Sequence, residues 1–187
     1  KDDDGADPRF GKVGRQRIEM RGALGAKRME TFDDEVYAAT ADWLKRTQSG
    51  GKPFFLWLNP TRMHQTTHVS PEWLGKSGHS RYADGLLHLD AIVGKLLKQL
   101  DDMGVANNTI VLFTSDNGVN LAHWPDAGTA SFRGEKGLTW DGGFRVPMLV
   151  RWPGKVPANA WTGEFMTSED WLPTLMAAVG DTDVKQR

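Results

Sequence analysis

The sequence contains no cysteine. Disulfide bonds, thiolate metal ligands and a thiol nucleophile are therefore excluded, although cysteine-free proteins occur in every redox compartment. The sequence also lacks an excess of one charge, since it contains 23 Lys and Arg residues and 24 Asp and Glu residues. Without a field of one sign, neither nucleic acid nor an acidic membrane surface is an expected partner.

Long apolar runs are also absent. No stretch approaches the roughly 18 apolar residues of a membrane span, and the opening lacks the basic-then-apolar order of a signal peptide. The opening has no initiator Met and no helical or strand period, so residues 1–30 are predicted to be a loop entered from a missing upstream part. Residues 31–180 are interpreted as one α/β core and residues 181–187 as a tail.

Periodic apolar residues predict three helices. Residues 33–46 carry apolar side chains at helical spacing, with acidic residues in the first turn. Residues 86–103 form a longer apolar face, starting with Leu86, that ends at Gly104, where a left-handed cap suits glycine. A third helix is predicted to begin after Asp170 as its cap.

Three short apolar runs predict strands, at residues 54–58, 109–113 and 146–152. Their alternation with the helices predicts the α/β fold class, with a mostly parallel sheet flanked by helices on both faces. In such sheets ligands bind at the carboxyl ends of the strands. Polar residues that follow a strand are therefore the first candidates for a functional site.

Asp116 and Asn117 directly follow the run 109–113. A carboxylate and an amide oxygen are hard ligands that suit Ca²⁺ or Mg²⁺, but calcium takes roughly six to eight oxygens, so other ligands must come from elsewhere. Asp-Asn-Gly is also a good turn by itself. Both interpretations stay open on spacing alone.

Lys136 lies in a glycine-rich loop at residues 132–147. Such a loop can fold its backbone around an oxyanion, and the ammonium could contact a sulfuryl or phosphoryl oxygen. The glycine spacing does not fit a Walker loop, and no Ser or Thr follows the lysine. The alternative is a solvated lysine in a structural loop.

His64 lies in the loop that leaves the run 54–58, and His68 follows four residues later. A histidine at this edge of a strand can protonate a leaving oxygen or hold an anion. His-x-x-x-His would suit zinc on a helix, but Pro60 and Pro71 argue against a helix here. An ordinary surface histidine is the remaining alternative.

Five ordered segments together resemble the sulfatase family of the alkaline-phosphatase-like superfamily, and bacterial arylsulfatases in particular. They are PFFLWLNPTRMHQTTHVSPEW, LLHLDAIVGKLLKQLDDMG, NNTIVLFTSDNG, FRGEKGLTWDGGFRVPMLVRWPG and EDWLPTLMAAVG. The resemblance covers the chain from about residue 28 onward. It implies that residues 1–187 are part of a sulfatase catalytic domain, which would hydrolyse the sulfate monoester of a small molecule or a sulfated glycan.

The resemblance also implies roles for the site residues. Asp116 and Asn117 would be two Ca²⁺ ligands, with Mg²⁺ less favoured. Lys136 and His64 would be catalytic and contact the substrate sulfate, His64 near the leaving oxygen, with His68 as the alternative to it. The family's nucleophile is a formylglycine made in a Cys/Ser-x-Pro/Ala-x-Arg motif, which this sequence lacks. The formylglycine is thus expected in the missing upstream region, and the isolated chain is expected to be inactive.

Two other functions are compatible with the same residues. One is a phosphatase or phosphonate hydrolase of the same superfamily, but such two-metal relatives tend to have His where this chain has Asn117, which favours one cation and sulfate. The other is a non-catalytic module that binds an anionic glycan through Arg, Lys and the eight tryptophans. The resemblance further suggests export to the periplasm or the extracellular space. It does not suggest an oligomeric state.

Overall fold

The computed structural model describes residues 19–65, 68–128 and 131–184, together with the backbone of four two-residue strands that precede them. These strands form two antiparallel pairs, β1 with β4 and β2 with β3. Their bounds are Asp2–Asp3 for β1, Ala6–Asp7 for β2, Gly11–Lys12 for β3 and Gln16–Arg17 for β4.

The segment predicted as a loop, residues 1–30, therefore contains short strands. It also contains a one-turn helix, α1, at Ala26–Met29. Residues 1, 4–5, 8–10, 13–15 and 18 of the predicted loop lie outside the described residues, as do residues 185–187 of the predicted tail.

Helix α2 spans Phe32–Ser49, so the first predicted helix is confirmed and is longer at both ends. Its buried positions are Asp33, Thr40 and Leu44, whose spacing places them on one face of the helix. Leu44 is fully buried. The inward face of α2 thus includes a carboxylate.

Helix α3 spans Arg81–Asp102. The Ser80 side chain caps it by accepting the N–H of Ala83 at 3.2 Å. Gly104 follows with a φ of +69°, which confirms the predicted glycine stop.

The buried face of α3 is more polar than the apolar period predicts. Leu89 and Ile92 are buried as expected. Leu86 is 47% exposed, however, whereas the polar His88 is buried. Polar bonds between α2 and α3 accompany the apolar contacts: Gln99 Nε2 donates to the carbonyl of Ala41 at 2.9 Å. The two helices therefore pack through a mixed interface.

Strand β5, Val111–Thr114, pairs with strand β6, Met148–Arg151. The pairing is antiparallel, with Val111 opposite Arg151 and Thr114 opposite Met148. The predicted parallel arrangement is wrong for this pair. A continuous apolar run indicates burial on both faces, but it does not encode the direction of the neighbouring strand.

The antiparallel pairing determines where the connection between the strands lies. Residues 115–147 leave β5 and return to β6 at the same end of the pair, because Thr114 and Met148 are opposite each other. This connection contains Asp116 and Lys136 and a short helix, α4, at Asp141–Phe144. We call residues 115–147 the β5–β6 connection.

Residues 54–58 are not assigned to a strand, contrary to the prediction. Their exposure nevertheless alternates, with Phe55 at 71% and Trp57 at 78% while the residues between are half-buried. This is the alternation of an extended segment. Phe54 packs edge-on against Trp43 of α2, with ring centroids 6.1 Å apart.

Helix α5 spans Trp171–Ala178 after a single 3-10 turn. Asp170 is the N-cap residue of α5, as predicted, but its side chain makes no capping bond to α5. Its carboxylate instead accepts the N–H of Thr167 at 2.9 Å, in a capping box one turn earlier. None of the helices in the described part of the chain combines the length and the hydropathy that a membrane span needs.

Candidate functional site

Lys136 occupies the second position of a β-turn in the β5–β6 connection. The N–H of Leu138 donates to the carbonyl of Glu135 at 3.0 Å and closes the turn. Gly137, in the third position, has a φ of +86°, which is the value of a type II turn and which glycine adopts without strain. The exposed Lys136 side chain therefore leaves from the corner of a defined turn.

This turn lies against the segment that follows β5. The N–H of Lys136 donates to the carbonyl of Val119 at 2.8 Å, and the N–H of Gly118 donates to the carbonyl of Gly143 at 2.9 Å. Gly118 is the next residue after Asn117. The fold thus brings the Lys136 turn and the Asp116–Asn117 pair to one end of the β5–β6 pair.

Glycine is required where these backbones meet. A Cβ on Gly118 would lie 1.8 Å from the carbonyl oxygen of Gly142, and a Cβ on Gly142 would lie 2.1 Å from that of Gly134. Such distances are far inside van der Waals contact, and the obstructing atoms are backbone. The glycines in this loop therefore permit close packing of main chain on main chain.

Asp116 is exposed and Asn117 is half-buried. The Ser115 hydroxyl donates to the Asn117 carbonyl at 3.0 Å, which orders the turn. The two side chains fit a hard cation such as Ca²⁺ by donor type. The described residues contain no cluster of three or more His, Cys, Asp or Glu able to hold a metal ion, so this pair would supply only part of a coordination shell.

The loop that carries His64 is held by Asp33 in the first turn of α2. Both the N–H and the hydroxyl of Thr61 donate to Asp33 Oδ1 at 2.8 Å, and the N–H of Arg62 donates to Oδ2 at 3.2 Å. His64 in turn donates its N–H to the Thr61 carbonyl at 2.9 Å. The backbone leading to His64 is thereby fixed to a helix.

Arg62 completes this attachment. Its buried guanidinium donates through Nη1 to Asp33 Oδ2 at 2.7 Å. Through Nη2 it donates to the carbonyls of Glu30 at 2.8 Å and His68 at 3.3 Å. Burial raises the pKa of Asp33, but the bonds from Thr61 and Arg62 outweigh it and the pKa is lowered below its ordinary value. Asp33 is therefore a buried carboxylate anion.

His64 and His68 are both exposed. The loop that carries them is bonded to Glu30, at the end of α1, and to Asp33 of α2. The Lys136 turn is instead bonded to the segment after β5. The hydrogen bonds of the described residues join the Lys136 turn to Val119, two residues after Asn117, and they do not join His64 to either segment. The convergence of His64 with the others therefore stays a prediction. Residues 66–67, between the two histidines, lie outside the described part of the chain.

A third histidine, His88, lies fully buried beneath α2 and beside the Arg62 side chain. Its Nε2 is 2.9 Å from Asp34 Oδ2, and its ring stacks on Trp73 with centroids 4.8 Å apart. Burial lowers its pKa and the charge of Arg62 lowers it further, while Asp34 opposes both. A neutral imidazole that donates from Nε2 fits this environment.

Sequence reasoning missed Asp33, Arg62 and Glu135. Asp33 had a detectable signal, because it lies at helical spacing from Thr40 and Leu44 on the inward face of α2. Glu135 had no such signal in the sequence. Its carboxylate accepts the backbone N–H of Leu121 at 2.7 Å, and almost every residue type carries a backbone N–H.

The comparison with known families identifies the group to which these residues belong. The model of the family described as Sulfatase matches residues 5–181. The chain belongs to the sulfatase family. This confirms the family that the five segments indicated.

Curated relatives support the assignment of this chain to the sulfatase family. It is 36% identical over 149 residues to the N-acetylgalactosamine-6-sulfatase of Canis lupus familiaris, a match that covers 78% of the chain and 28% of the relative. It is 38% identical over 146 residues to arylsulfatase A of Bos taurus, with 77% and 29% covered. The sulfatase chain thus spans less than a third of either relative.

Solved structures show the fold. The crystal structure of PsFucS1 sulfatase from Pseudoalteromonas sp. superposes with a TM-score of 0.84 at 29% identity, covering 92% of the sulfatase chain and 35% of that protein. Ps i-CgsB in complex with k-i-k-neocarrahexaose gives a TM-score of 0.72 at 29% identity, with 80% and 34% covered. The predicted sulfatase-like α/β class is confirmed by these neighbours.

Proposed function

We propose that the sulfatase chain forms the anion-binding part, and part of the metal-binding shell, of a site that hydrolyses a sulfate monoester. Family membership supports the reaction class. The observation that supports the placement is the 2.8 Å bond from the Lys136 N–H to Val119, two residues after Asn117. It holds a cationic side chain and two hard oxygen donors at one end of β5–β6.

Each residue has a defined task in this proposal. Lys136 places its ammonium against a sulfate oxygen, where a fixed positive charge stabilises the charge that develops in the transition state. His64 donates a proton to the departing alcohol oxygen. Asp116 and Asn117 would hold Ca²⁺, which when bound supplies further positive charge to the sulfate.

The nucleophile is the group that this sequence does not supply. The chain contains no cysteine and no Cys/Ser-x-Pro/Ala-x-Arg motif from which the family's formylglycine could be made. We propose that residues outside this sequence provide it. The isolated chain should therefore bind a sulfate group without hydrolysing its ester.

An activity assay tests this division of roles. The chain alone and a gene product extended upstream in its own reading frame are incubated with an aryl sulfate and Ca²⁺, and an aryl phosphate serves as the rival substrate. We expect turnover of the sulfate by the extended form only, and its loss in Lys136→Ala. Turnover by the chain alone would refute the division, and preference for the phosphate would refute the reaction class.

A sulfated glycan is the substrate class that the surface favours. The Arg133 guanidinium lies 4.1 Å from the ring centroid of Trp140, and that of Arg145 lies 4.1 Å from Phe132. Stacked arginines and aromatic rings next to Lys136 suit sulfate groups on sugar rings. The neighbour Ps i-CgsB was solved with k-i-k-neocarrahexaose.

Calorimetry with a sulfated oligosaccharide and with its desulfated form tests the glycan proposal, with and without chelator. We expect binding of the sulfated form alone, and weaker binding once Ca²⁺ is removed. Binding that ignores the chelator would instead favour a non-catalytic glycan-binding module.

A further inference from the structure

Three hydrogen bonds connect the segment after β5 to the later part of the β5–β6 connection, two of them at the Lys136 turn and one at Gly143 of α4. Two join main chain to main chain, from Gly118 to Gly143 and from Lys136 to Val119. In the third, the N–H of Leu121 donates to Glu135 Oε2 at 2.7 Å. Of these three bonds, it alone depends on a side chain, so a substitution can remove it without touching the backbone.

Glu135 acts on the turn from two sides. Its carbonyl accepts the N–H of Leu138 at 3.0 Å and closes the turn around Lys136. Its carboxylate attaches the same turn to Leu121. A bond from an N–H to a carboxylate is charge-assisted and about twice as strong as a neutral one, so this attachment is the strongest of the three by type.

The Glu135 carboxylate is engaged by a main-chain donor rather than by the neighbouring ammonium. The ion pairs of the described residues do not include one between Glu135 and Lys136, and Glu135 Oε2 is engaged by the Leu121 N–H instead. A carboxylate that paired with Lys136 would compete with an anionic ligand for it. Its engagement by a main-chain donor leaves the ammonium for that ligand.

We infer that Glu135 is a positioning residue that holds Lys136 in place for an anion. This inference rests on the proposed function for the role of Lys136, and on the turn geometry for the mechanism. Glu135 acts through its hydrogen bond to Leu121, so the reach of its acceptor oxygen decides whether the bond forms, and its charge makes that bond stronger.

Three variants separate these properties. Glu135→Gln keeps an acceptor oxygen at the same reach without the charge, Glu135→Asp keeps the charge but shortens the reach, and Glu135→Ala removes both. Glu164→Ala, at an exposed glutamate in another segment, is the matched control. Thermal unfolding of all four verifies that each variant is folded.

Amide hydrogen exchange gives the first measurement. In Glu135→Ala and Glu135→Asp we expect exchange to accelerate roughly tenfold at Leu121, and also at Lys136 and Gly118, because all three amides donate bonds between the same two segments. Glu135→Gln should exchange at a rate between those of the parent and the Ala variant, because a neutral acceptor at the same reach forms a weaker bond. The control should exchange like the parent. Acceleration confined to Leu121, or a Gln variant as fast as the Ala variant, would overturn the inference.

Titration with inorganic sulfate, followed by the amide shift of Lys136, gives the second measurement. We expect the affinity to fall about tenfold in the Ala and Asp variants and to stay within about twofold in the Gln variant. Equal affinity in all variants would overturn the positioning role. If the parent itself bound no sulfate at Lys136, the proposed function would fail, while the exchange data would still decide whether Glu135 holds the turn.

Discussion

Asp33 and Arg62 form a buried ion pair in which Nη1 lies 2.7 Å from Oδ2 and neither side chain is more than 1% exposed. The pair joins the first turn of α2 to the loop that carries His64. Acidic residues in a first turn usually favour the helix dipole from the surface. Here one of them, Asp33, faces inward and binds the loop that carries His64.

Arg62→Met should be strongly destabilising. Removing one partner leaves the Asp33 charge buried and uncompensated, which typically costs about 3–5 kcal/mol of unfolding free energy. Urea unfolding measures this loss. Arg46→Met is the matched control, because Arg46 pairs with Asp42 at 2.9 Å on the surface and its loss should cost far less. Equal losses in the two variants would contradict the importance of burial.

Acid should destabilise the protein through Asp33. Its folded pKa is lowered below the value of about 3.9 in the unfolded chain, so its contribution is complete above about pH 4 and is lost as the pH falls through the folded pKa. Urea midpoints between pH 5 and pH 2 measure the loss. Asp33→Asn should begin less stable and fall less steeply, and parallel curves would contradict this assignment.

His88 should add a second pH dependence at milder acidity. Its folded pKa is lowered, so the unfolded chain takes up the proton first. The contribution of His88 to the unfolding free energy is complete above the unfolded pKa of about 6.5. It falls as the pH drops from there toward the folded pKa. His88→Gln should remove this slope, whereas His79→Gln, at an exposed site, should retain it. An unchanged slope in His88→Gln would exclude His88 as its source.

Gly118→Ala should separate the Lys136 turn from the segment after β5. The new Cβ would meet the Gly142 carbonyl oxygen at 1.8 Å, and forcing such a contact typically costs about 1–3 kcal/mol. Faster hydrogen exchange at the Lys136 amide would report the separation. Gly94→Ala, in the middle of α3 with open space around it, should instead stabilise by about 0.5–1 kcal/mol. A neutral Gly118→Ala would show that the loops do not meet as described.

The helices were predictable from the sequence because their signals are local. The apolar period lies within the helix that it predicts, and the glycine at 104 lies directly after it. The antiparallel direction of the β5–β6 pairing was not predictable, since it depends on contacts between residues that lie far apart in the sequence. The extended segment 54–58 carries the composition of a strand, but a strand also needs a neighbour to pair with.

The candidate site was predictable in part. Asp116, Asn117 and Lys136 were singled out because they belong to segments with a distinctive composition, and the fold brings these segments together. Their roles in a site stay a prediction. Asp33 and Glu135 were not found, because their partners are main-chain groups and side chains brought near only by the fold. Composition indicates which residues can perform chemistry, whereas the groups that hold them in place emerge from tertiary structure.

The β5–β6 connection makes the Lys136 turn and the Asp116–Asn117 pair separable from the strands that carry them. Thr114 and Met148 are opposite each other, about 5 Å apart as in any antiparallel pair, so residues 115–147 could be exchanged for a tight Asn-Gly turn without shifting the strand register. By the same geometry, residues can be inserted or removed within the connection while both strands keep their partners. A graft of the whole connection onto another antiparallel hairpin would need only two junctions.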